Sequence, residues 1–279
     1  MRTQIQPASL ARDARFHRIT TEERFADERP GQGEERRLDR QAIDVGDRAR
    51  RQMHGIFVGE IQALEGAGRT AFDYDTDVVP FAMKLDMARQ CWDEARHVEI
   101  SVKLGDHMGT EIGEYAETVF LFEAACHPDP VYRLAGVNRA LEGLAIDVFT
   151  TMREFGDEMG DPVLAFCEDW MLADEVTHVK MGSTWLRELT KTDPERQRGA
   201  LEFQRTVDGL FNFRGLRGEE REAAIRLARR FREMAGFSSE EIDSIAEMAA
   251  DQRATASADR KSTRLNSSHM VQSRMPSSA

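Results

Sequence analysis

The 279-residue chain lacks any run of about 18 apolar residues, which is the length that a membrane-spanning helix needs. Its first residues, Met1-Arg-Thr-Gln-Ile-Gln6, also lack the apolar stretch of a secretory signal. These two absences predict a cytoplasmic protein without a membrane segment.

Cysteine is scarce, with only Cys91, Cys126 and Cys167 in the whole chain and no Cys-x-x-Cys pair among them. An odd number of cysteines without that spacing disfavours both a disulfide framework and a rubredoxin-type iron site. We therefore expect free, buried thiols.

Residues 259–279 resemble neither a protein core nor a linker. Read back into codons, Asp259-Arg-Lys-Ser-Thr-Arg-Leu-Asn-Ser-Ser-His269 matches a widely used sequencing adapter, and Ser273-Arg-Met-Pro-Ser-Ser-Ala279 fits its continuation. We interpret 259–279 as a translated adapter tail without ordered structure and exclude it from the fold. A natural serine-rich tail is the alternative. Either way, the natural C-terminus beyond Ala258 stays open.

Basic residues are outnumbered by acidic ones. Without 259–279 the net charge of −12 becomes −15, because that segment carries four basic residues and one acidic residue. A strongly acidic chain is repelled by phosphate backbones. Nucleic acid is therefore disfavoured as a partner.

Helix-forming sequence is abundant from about Leu38 to Ala250. Ala, Leu, Glu, Met and Arg dominate there, and apolar residues recur every three or four positions. Residues 1–37 are instead dense in charge and interrupted by Pro30-Gly-Gln-Gly33. We predict an all-α protein with a charged arm (1–37), a helical bundle (38–190), accessory C-terminal helices (191–258) and the tail (259–279).

Helix starts are marked by Asp-Pro pairs at residues 129–130, 161–162 and 193–194, because Asp suits the N-cap and Pro the first helical position. With these starts the pattern predicts four long helices, at 39–72, 80–106, 130–158 and 162–190. The span 107–128 becomes a long crossover between the second and third helices, with a short helix of its own. Three further helices are expected at 195–213, 219–235 and 240–252.

The chemistry lies in a repeated motif. Glu94-Ala-Arg-His97 and Glu175-Val-Thr-His178 are both Glu-x-x-His, and each follows another glutamate at nearly the same distance. Glu60 lies 34 residues before Glu94, and Glu142 lies 33 residues before Glu175. The spacing is typical of a duplicated helical hairpin.

Six side chains can therefore meet inside the bundle. Residues three apart share a helix face, and a rise of about 1.5 Å per residue brings each outer glutamate level with its Glu-x-x-His motif within roughly a turn. Four carboxylates and two imidazoles suit two iron or manganese ions better than a closed zinc site. The alternative, glutamates on solvated faces beside structural histidines, is disfavoured by the apolar neighbours of Glu60 and Glu142. The predicted ligands are Glu60, Glu94, His97, Glu142, Glu175 and His178.

Further residues are expected around this centre. Asp93 and Asp174 immediately precede the two motifs and can accept a hydrogen bond from the second ring nitrogen of a ligating histidine. Phe57, Ile146 and Met171 are candidates for a cavity beside the metals, as is Cys91, for which packing in the core is the favoured alternative.

The motifs resemble the ferritin-like di-iron carboxylate superfamily over about Leu38 to Leu189, whose fold is a four-helix bundle with a long crossover between helices 2 and 3. Four segments are similar to a bacterial ferritin-like family of unknown function that is related to di-iron tRNA hydroxylases. They are Gly59-Glu-Ile-Gln-Ala-Leu-Glu65, Asp86-Met-Ala-Arg-Gln-Cys-Trp-Asp-Glu-Ala-Arg-His-Val-Glu99, Leu141-Glu-Gly-Leu-Ala-Ile-Asp147 and Asp174-Glu-Val-Thr-His-Val-Lys-Met-Gly182.

The resemblance implies a role for each ligand. Glu94 and Glu175 are expected to bridge two irons, Glu60 and His97 to complete one iron's coordination, and Glu142 and His178 the other's. Arylamine N-oxygenases carry a further histidine one turn before the second motif, where this chain has Met171. That difference disfavours N-oxygenation.

The resulting functional hypothesis is a non-haem di-iron oxygenase or oxidase that activates O₂ to oxidise a small organic substrate. Its cofactor is two Fe ions, with Mn/Fe as an alternative, its electrons come from a ferredoxin or reductase, and a homodimer is a further possibility. Two alternatives stay open: a non-catalytic or peroxide-scavenging iron-binding protein of the ferritin or rubrerythrin type, and a tRNA-modifying hydroxylase. The C-terminal helices weigh against storage, and the acidic charge weighs against tRNA.

Overall fold

The computed structural model describes residues 46–115, 117, 119–210 and 227–250 of the chain. Their secondary structure is helical apart from turns and one isolated bridge residue, so the all-α prediction is confirmed. The predicted N-terminal arm and the predicted tail lie outside the described residues. So do most of 39–46, the assumed start of the first helix, and 211–226. No helix among the described residues is long and apolar enough to cross a bilayer.

The first helical pair consists of α1, Asp47–Asp73, and α2, Phe81–Met108. A short connection at 74–80 makes the two helices antiparallel, and their packing faces carry buried apolar side chains such as Met53, Phe57, Met83 and Met87. α2 ends where Gly109 adopts a left-handed conformation with φ of 75°, the usual way for a helix to stop.

A long connection follows, as predicted, and contains a short helix α3, Phe120–Ala125. The chain then becomes helical again at Pro130 and continues to Met159. This run consists of α4, Pro130–Arg133, a π-helical segment, Leu134–Leu141, and α5, Glu142–Met159. The π-helical segment was not predicted, and it ends directly at Glu142.

The three Asp-Pro pairs start helices as predicted. Asp129 accepts a hydrogen bond from the backbone N–H of Val131, and Asp161 accepts from those of Val163 and Leu164. Asp193 accepts from that of Arg196. The second and third of these caps begin α6, Pro162–Thr190, and α7, Pro194–Asp208.

The second helical pair is formed by α5 and α6, which are antiparallel and approach closely at Gly156. A Cβ atom at that position would lie 2.7 Å from the backbone nitrogen of Ala165. The two pairs meet through α2 and α6, where the indole N–H of Trp185 donates to Asp86 at 2.7 Å. α7 packs against the 130–141 run in an apolar cluster that contains Val131, Ala135, Leu186 and Ala200.

The C-terminal part contains α8, Arg229–Met234, and a helical stretch at 239–250. The chain divides into two compact units between Phe237 and Ser238, so α8 belongs with the helical pairs. The side chain of Arg232 is fully buried and forms an ion pair with Asp147 of α5 at 2.6 Å. This buried pair fixes α8 against α5.

Candidate metal centre

Four helical segments bring the six predicted ligands together in the interior. α1 supplies Glu60, α2 supplies Glu94 and His97, α5 supplies Glu142, and α6 supplies Glu175 and His178. They form two overlapping groups, and within each group the ligand atoms lie within 4.8 Å of one another. The groups are Glu60, Glu94, His97 and Glu175, and Glu94, Glu142, Glu175 and His178. These buried clusters could hold metal ions.

The two shared glutamates each direct one carboxylate oxygen to each histidine. Glu94 places Oε2 at 3.2 Å from Nδ1 of His97 and Oε1 at 3.1 Å from Nδ1 of His178. Glu175 places Oε1 at 3.1 Å from Nδ1 of His97 and Oε2 at 3.6 Å from Nδ1 of His178. Carboxylates with this orientation can bridge two cations.

The outer glutamates belong to different sides of the centre. Oε2 of Glu60 lies 3.1 Å from Nδ1 of His97, so Glu60 and His97 define one subsite. Glu142 is grouped with His178 and defines the other. We call these the Glu60 subsite and the Glu142 subsite.

Although these groups approach one another closely, several of their atoms have no hydrogen bond of adequate geometry among the described residues. They are Oε2 of Glu94, both carboxylate oxygens of Glu175 and Nδ1 of His178. All three residues are fully buried. Buried polar atoms are costly unless something satisfies them, and an oxygen- and nitrogen-rich set of this kind suits a pair of divalent cations. The residues present therefore fit a two-metal site.

Burial and the charges of neighbouring groups set the pKa values of the four carboxyl groups. Burial raises the pKa of Glu60 to about 8 and holds the pKa of Glu142 well above its ordinary value. Burial acts on Glu94 and Glu175 too, but the adjacent imidazoles outweigh it and lower the pKa of both carboxyls. The protonation of the centre thus depends on burial and on the charges of its acids and imidazoles, and a cation enters it by displacing protons.

Two aspartates orient the histidines by binding Nε2, the ring nitrogen that does not face the glutamates. Each aspartate binds the histidine of the other helical pair. Nε2 of His178 lies 3.4 Å from Asp93, and Nε2 of His97 lies 3.3 Å from Asp174. The guanidinium of Arg96 bonds both aspartates and lies over the ring of Trp170. Each Nδ1 is thereby directed to the carboxylates. Sequence reasoning missed Arg96, although it occupies an inner position of the first Glu-x-x-His motif.

A chain of amides supports the Glu142 subsite. The side-chain N–H of Gln90 donates to Glu142 at 2.6 Å and to Glu94 at 3.1 Å. Asn138, on the π-helical segment, donates to the oxygen of Gln90 at 2.6 Å. The sequence offered a signal that was overlooked, since Gln90 and Asn138 each lie one turn before a predicted ligand.

A fifth buried glutamate lies near the Glu60 subsite. Glu168 of α6 is fully buried, and neither carboxylate oxygen has a hydrogen-bond partner among the described residues. Burial, more than the neighbouring charges of Glu60 and His97, holds the pKa of Glu168 well above its ordinary value. Its position seven residues before Glu175, on the same helix face, was the signal in the sequence.

The predicted cavity residues take different places. Phe57, Ile146 and Met171 are buried in the core, while the ring of His97 has edge contacts with Phe149 and Trp170. Cys91 is only partly buried, and its Sγ lies 3.8 Å from the carbonyl oxygen of Leu64 on α1. This contact places Cys91 in the packing between α1 and α2. All three cysteines are free, but each is partly rather than fully buried.

Comparison with known proteins gives one match. A family model described as "Protein of unknown function (DUF455)" matches residues 7–243, which is most of the chain. No curated protein and no solved structure matches the chain.

Proposed function

The chain belongs to the DUF455 family. From its two buried groups of carboxylates and imidazoles we propose that it is a ferritin-like, non-haem di-iron oxygenase or oxidase. In this proposal the two iron ions occupy the Glu60 and Glu142 subsites and activate O₂ for the oxidation of a small organic molecule. The order of elements supports the ferritin-like part, because two helical pairs are joined by the long connection between α2 and α4.

The observation that carries the proposal is the position of Glu94 and Glu175 between the two histidines. Each carboxylate offers one oxygen to each imidazole, so both glutamates can serve two cations at once. Glu60 and Glu142 then complete one subsite each. Two divalent cations would also neutralise the charge of these four carboxylates, which offsets much of the cost of burying them.

The donor set favours iron, or manganese with iron, over zinc. Carboxylates outnumber imidazoles by two to one, and paired glutamates with two Glu-x-x-His motifs are the pattern of di-iron carboxylate proteins. When bound, such a pair of reduced ions would supply a binding site for O₂ and electrons that reduce it as the substrate is oxidised. A ferredoxin or reductase is the proposed source of those electrons.

The chain's own residues have defined tasks in this proposal. Asp93 accepts a hydrogen bond from Nε2 of His178, and Asp174 accepts one from Nε2 of His97. Nδ1 of each histidine is thereby left free to bind metal. Gln90 holds Glu142 and Glu94 in place. The apolar side chains of Phe149 and Ile146 help to exclude water from this part of the interior.

The proposal is tested first by metal content. Purified protein loaded anaerobically with Fe(II) and desalted should retain two ions per chain, whereas Glu94→Gln should lose both, because Glu94 contributes to both subsites. Glu99→Gln is the matched control, since Glu99 is an exposed glutamate of the same helix that pairs with Lys103. Equal iron content in Glu94→Gln and wild type would rule out the site.

A second measurement tests the reaction. Single turnover of the Fe(II)-loaded protein with O₂ and a cell extract of small metabolites should yield an oxidised product that the Glu94→Gln variant does not form. Accumulation of mineralised iron well beyond two ions per chain would instead favour a storage protein and overturn the oxygenase proposal.

A further inference from the structure

Glu168 is a buried acid without a hydrogen-bond partner among the described residues. It lies on α6 seven residues before Glu175, so the two side chains share a helix face about two turns apart. Glu168 is fully buried, and the lack of a partner applies to both of its oxygens. An isolated charged carboxylate in a protein interior is very unfavourable, so this position calls for a proton or a cation.

The contacts between α2 and α6 fix the level of Glu168 in the interior. Three pairs define the antiparallel register of these helices, namely Asp86 with Trp185, Asp93 with His178, and His97 with Asp174. Continued along α6, this register places Glu168 level with Lys103 of α2, which is six residues or about 9 Å beyond His97 along the helix axis. Glu168 therefore lies on the Glu60 side of the centre.

A second unpartnered polar group occurs at this level. Ser101 lies one turn after His97 on the same face of α2, is buried, and its hydroxyl has no hydrogen-bond partner among the described residues. By the register above, Ser101 and Glu168 are separated by about 3 Å along the helix axis. Two unsatisfied oxygen groups thus lie one to two helical turns beyond His97, on the Glu60 side of the centre.

The two subsites consequently differ in their surroundings. Beside the Glu142 subsite the polar groups are neutral amides: Gln90 donates to Glu142 and accepts from Asn138, whose own Oδ1 has no partner among the described residues. Beside the Glu60 subsite there is an additional acid. Burial raises the pKa of Glu168 most, the charge of Glu60 raises it further, and the charge of His97 lowers it.

We propose that Glu168, which lies outside the two groups of close ligand atoms, is a supporting acid of the Glu60 subsite and strengthens cation binding there through a water molecule. The Glu60 subsite then attracts a divalent cation more strongly than the Glu142 subsite and fills first. This inference rests on the proposed two-metal function, because it assigns an order of filling to that same centre.

The test is a calorimetric titration of metal-free protein with Mn(II), comparing wild type with Glu168→Gln. Wild type should bind two ions with unequal affinity. In Glu168→Gln the tighter event should weaken by roughly ten-fold or more, as when a supporting group of a metal site is removed, while the weaker event changes little. Glu168→Asp, which retains the charge, should recover part of the difference.

Crystals grown with one equivalent of Mn(II) locate the ion. The anomalous signal should lie beside His97 in wild type and should be divided between His97 and His178 in Glu168→Gln. Asp208→Asn is the control, because Asp208 is another buried carboxylate but lies beside Arg232 rather than at the centre. Its titration should match wild type.

The outcomes separate the two proposals. If wild type binds two ions and Glu168→Gln binds them with the same two affinities, the role of Glu168 is wrong and the proposed function stands. If wild type binds no Mn(II) and no Fe(II), both proposals fail. Folding of the variant is checked by its thermal unfolding without metal, where loss of an unsatisfied buried acid should leave the midpoint unchanged or higher.

Discussion

Asp93 lies on the same helix as His97, yet its carboxylate approaches His178 of α6, with 3.4 Å between Oδ2 and Nε2. In the same way, Oδ2 of Asp174 on α6 lies 3.3 Å from Nε2 of His97 on α2. Each Glu-x-x-His motif therefore provides the histidine of one subsite. The aspartate directly before the motif orients the histidine of the other subsite. This exchange couples the two helical pairs at the level of the centre.

The exchange predicts that Asp93→Asn weakens metal binding chiefly at the Glu142 subsite. The neutral amide of the variant would accept less strongly from Nε2 of His178 than the carboxylate does, so the imidazole would be less basic and less well oriented. We expect a loss of roughly 10- to 100-fold in affinity for one of two ions, measured by competition with a chelator.

Asp106→Asn is the control for this change, since Asp106 is an exposed aspartate near the end of α2. A loss of the same size for Asp106→Asn, or none for Asp93→Asn, would contradict the assigned role of Asp93.

The amide chain leads to a complementary prediction. Asn138→Ala removes the donor to Gln90, which leaves a buried amide oxygen unsatisfied and allows Gln90 to turn away from Glu142. We expect the unfolding free energy to fall by about 1–3 kcal/mol and the weaker Mn(II)-binding event to become weaker still. Glu168→Gln should affect the tighter event instead.

The matched control is Thr150→Ala on α5. The hydroxyl of Thr150 donates to the carbonyl oxygen of Ile146 within the same helix, so its loss does not reach the centre. Urea unfolding and calorimetric titration of both variants would check the prediction, which fails if Asn138→Ala lowers stability without any change in metal affinity.

Some of this arrangement followed from the sequence for simple reasons. Helix starts could be predicted because Asp129, Asp161 and Asp193 act on backbone N–H groups two or three residues away. The approach of Glu60 and Glu94 could be predicted because a helix has a fixed rise, so spacing along the chain converts directly into height. Both arguments need only local geometry.

Other features could not be predicted from local geometry. The sequence pattern was interpreted with a helical period of 3.6 residues, so the π-helical segment that carries Asn138 was not predicted. This segment changes the direction in which every later side chain of the helix points. Glu168 shares a helix face with Glu175, but only the packing shows that its carboxylate is buried and lacks a partner among the described residues. The pairing of Asp147 with Arg232 joins residues 85 positions apart, which no local pattern specifies.

Close approach at Gly182 gives a test of the packing behind the Glu142 subsite. A Cβ atom at Gly182 of α6 would lie 2.5 Å from the Cβ of Asn138 and 3.4 Å from its backbone carbonyl. Gly182→Ala should therefore push the π-helical segment away from α6 and lower the unfolding free energy by about 1–3 kcal/mol. Urea unfolding measures the change.

Gly55→Ala serves as the control in α1. Gly55 is exposed and no atom lies within 4 Å of a Cβ built there. The substitution should raise the unfolding free energy by about 0.5–1 kcal/mol, because alanine favours a helix over glycine. Equal effects of the two substitutions would mean that Gly182 has no packing role.

Asp208 predicts a pH dependence that is separate from the metal centre. Burial raises the pKa of Asp208 to about 7, against the opposing effects of Arg232, Gln204 and Arg139, while Asp147 contributes a further increase. Its ordinary pKa is 3.8. Between these two values the folded protein holds a proton that the unfolded chain has released.

The sign of the effect follows from that difference in bound protons. As the pH rises from about 4 to about 7, Asp208 lowers the unfolding free energy by about 1.4 kcal/mol per pH unit, and it adds no further slope above its folded pKa. Asp208→Asn cannot titrate, so its stability relative to wild type should increase from about pH 5 to about pH 8. The control is Asp169→Asn, which removes an exposed carboxylate that pairs with Arg153 and should leave the slope unchanged. The test is urea unfolding at several pH values. Parallel curves of unfolding free energy against pH for wild type and Asp208→Asn would show that this acid is already ionised in the folded protein near pH 5. In that case Arg232 and Arg139 stabilise its charge more strongly than burial opposes it.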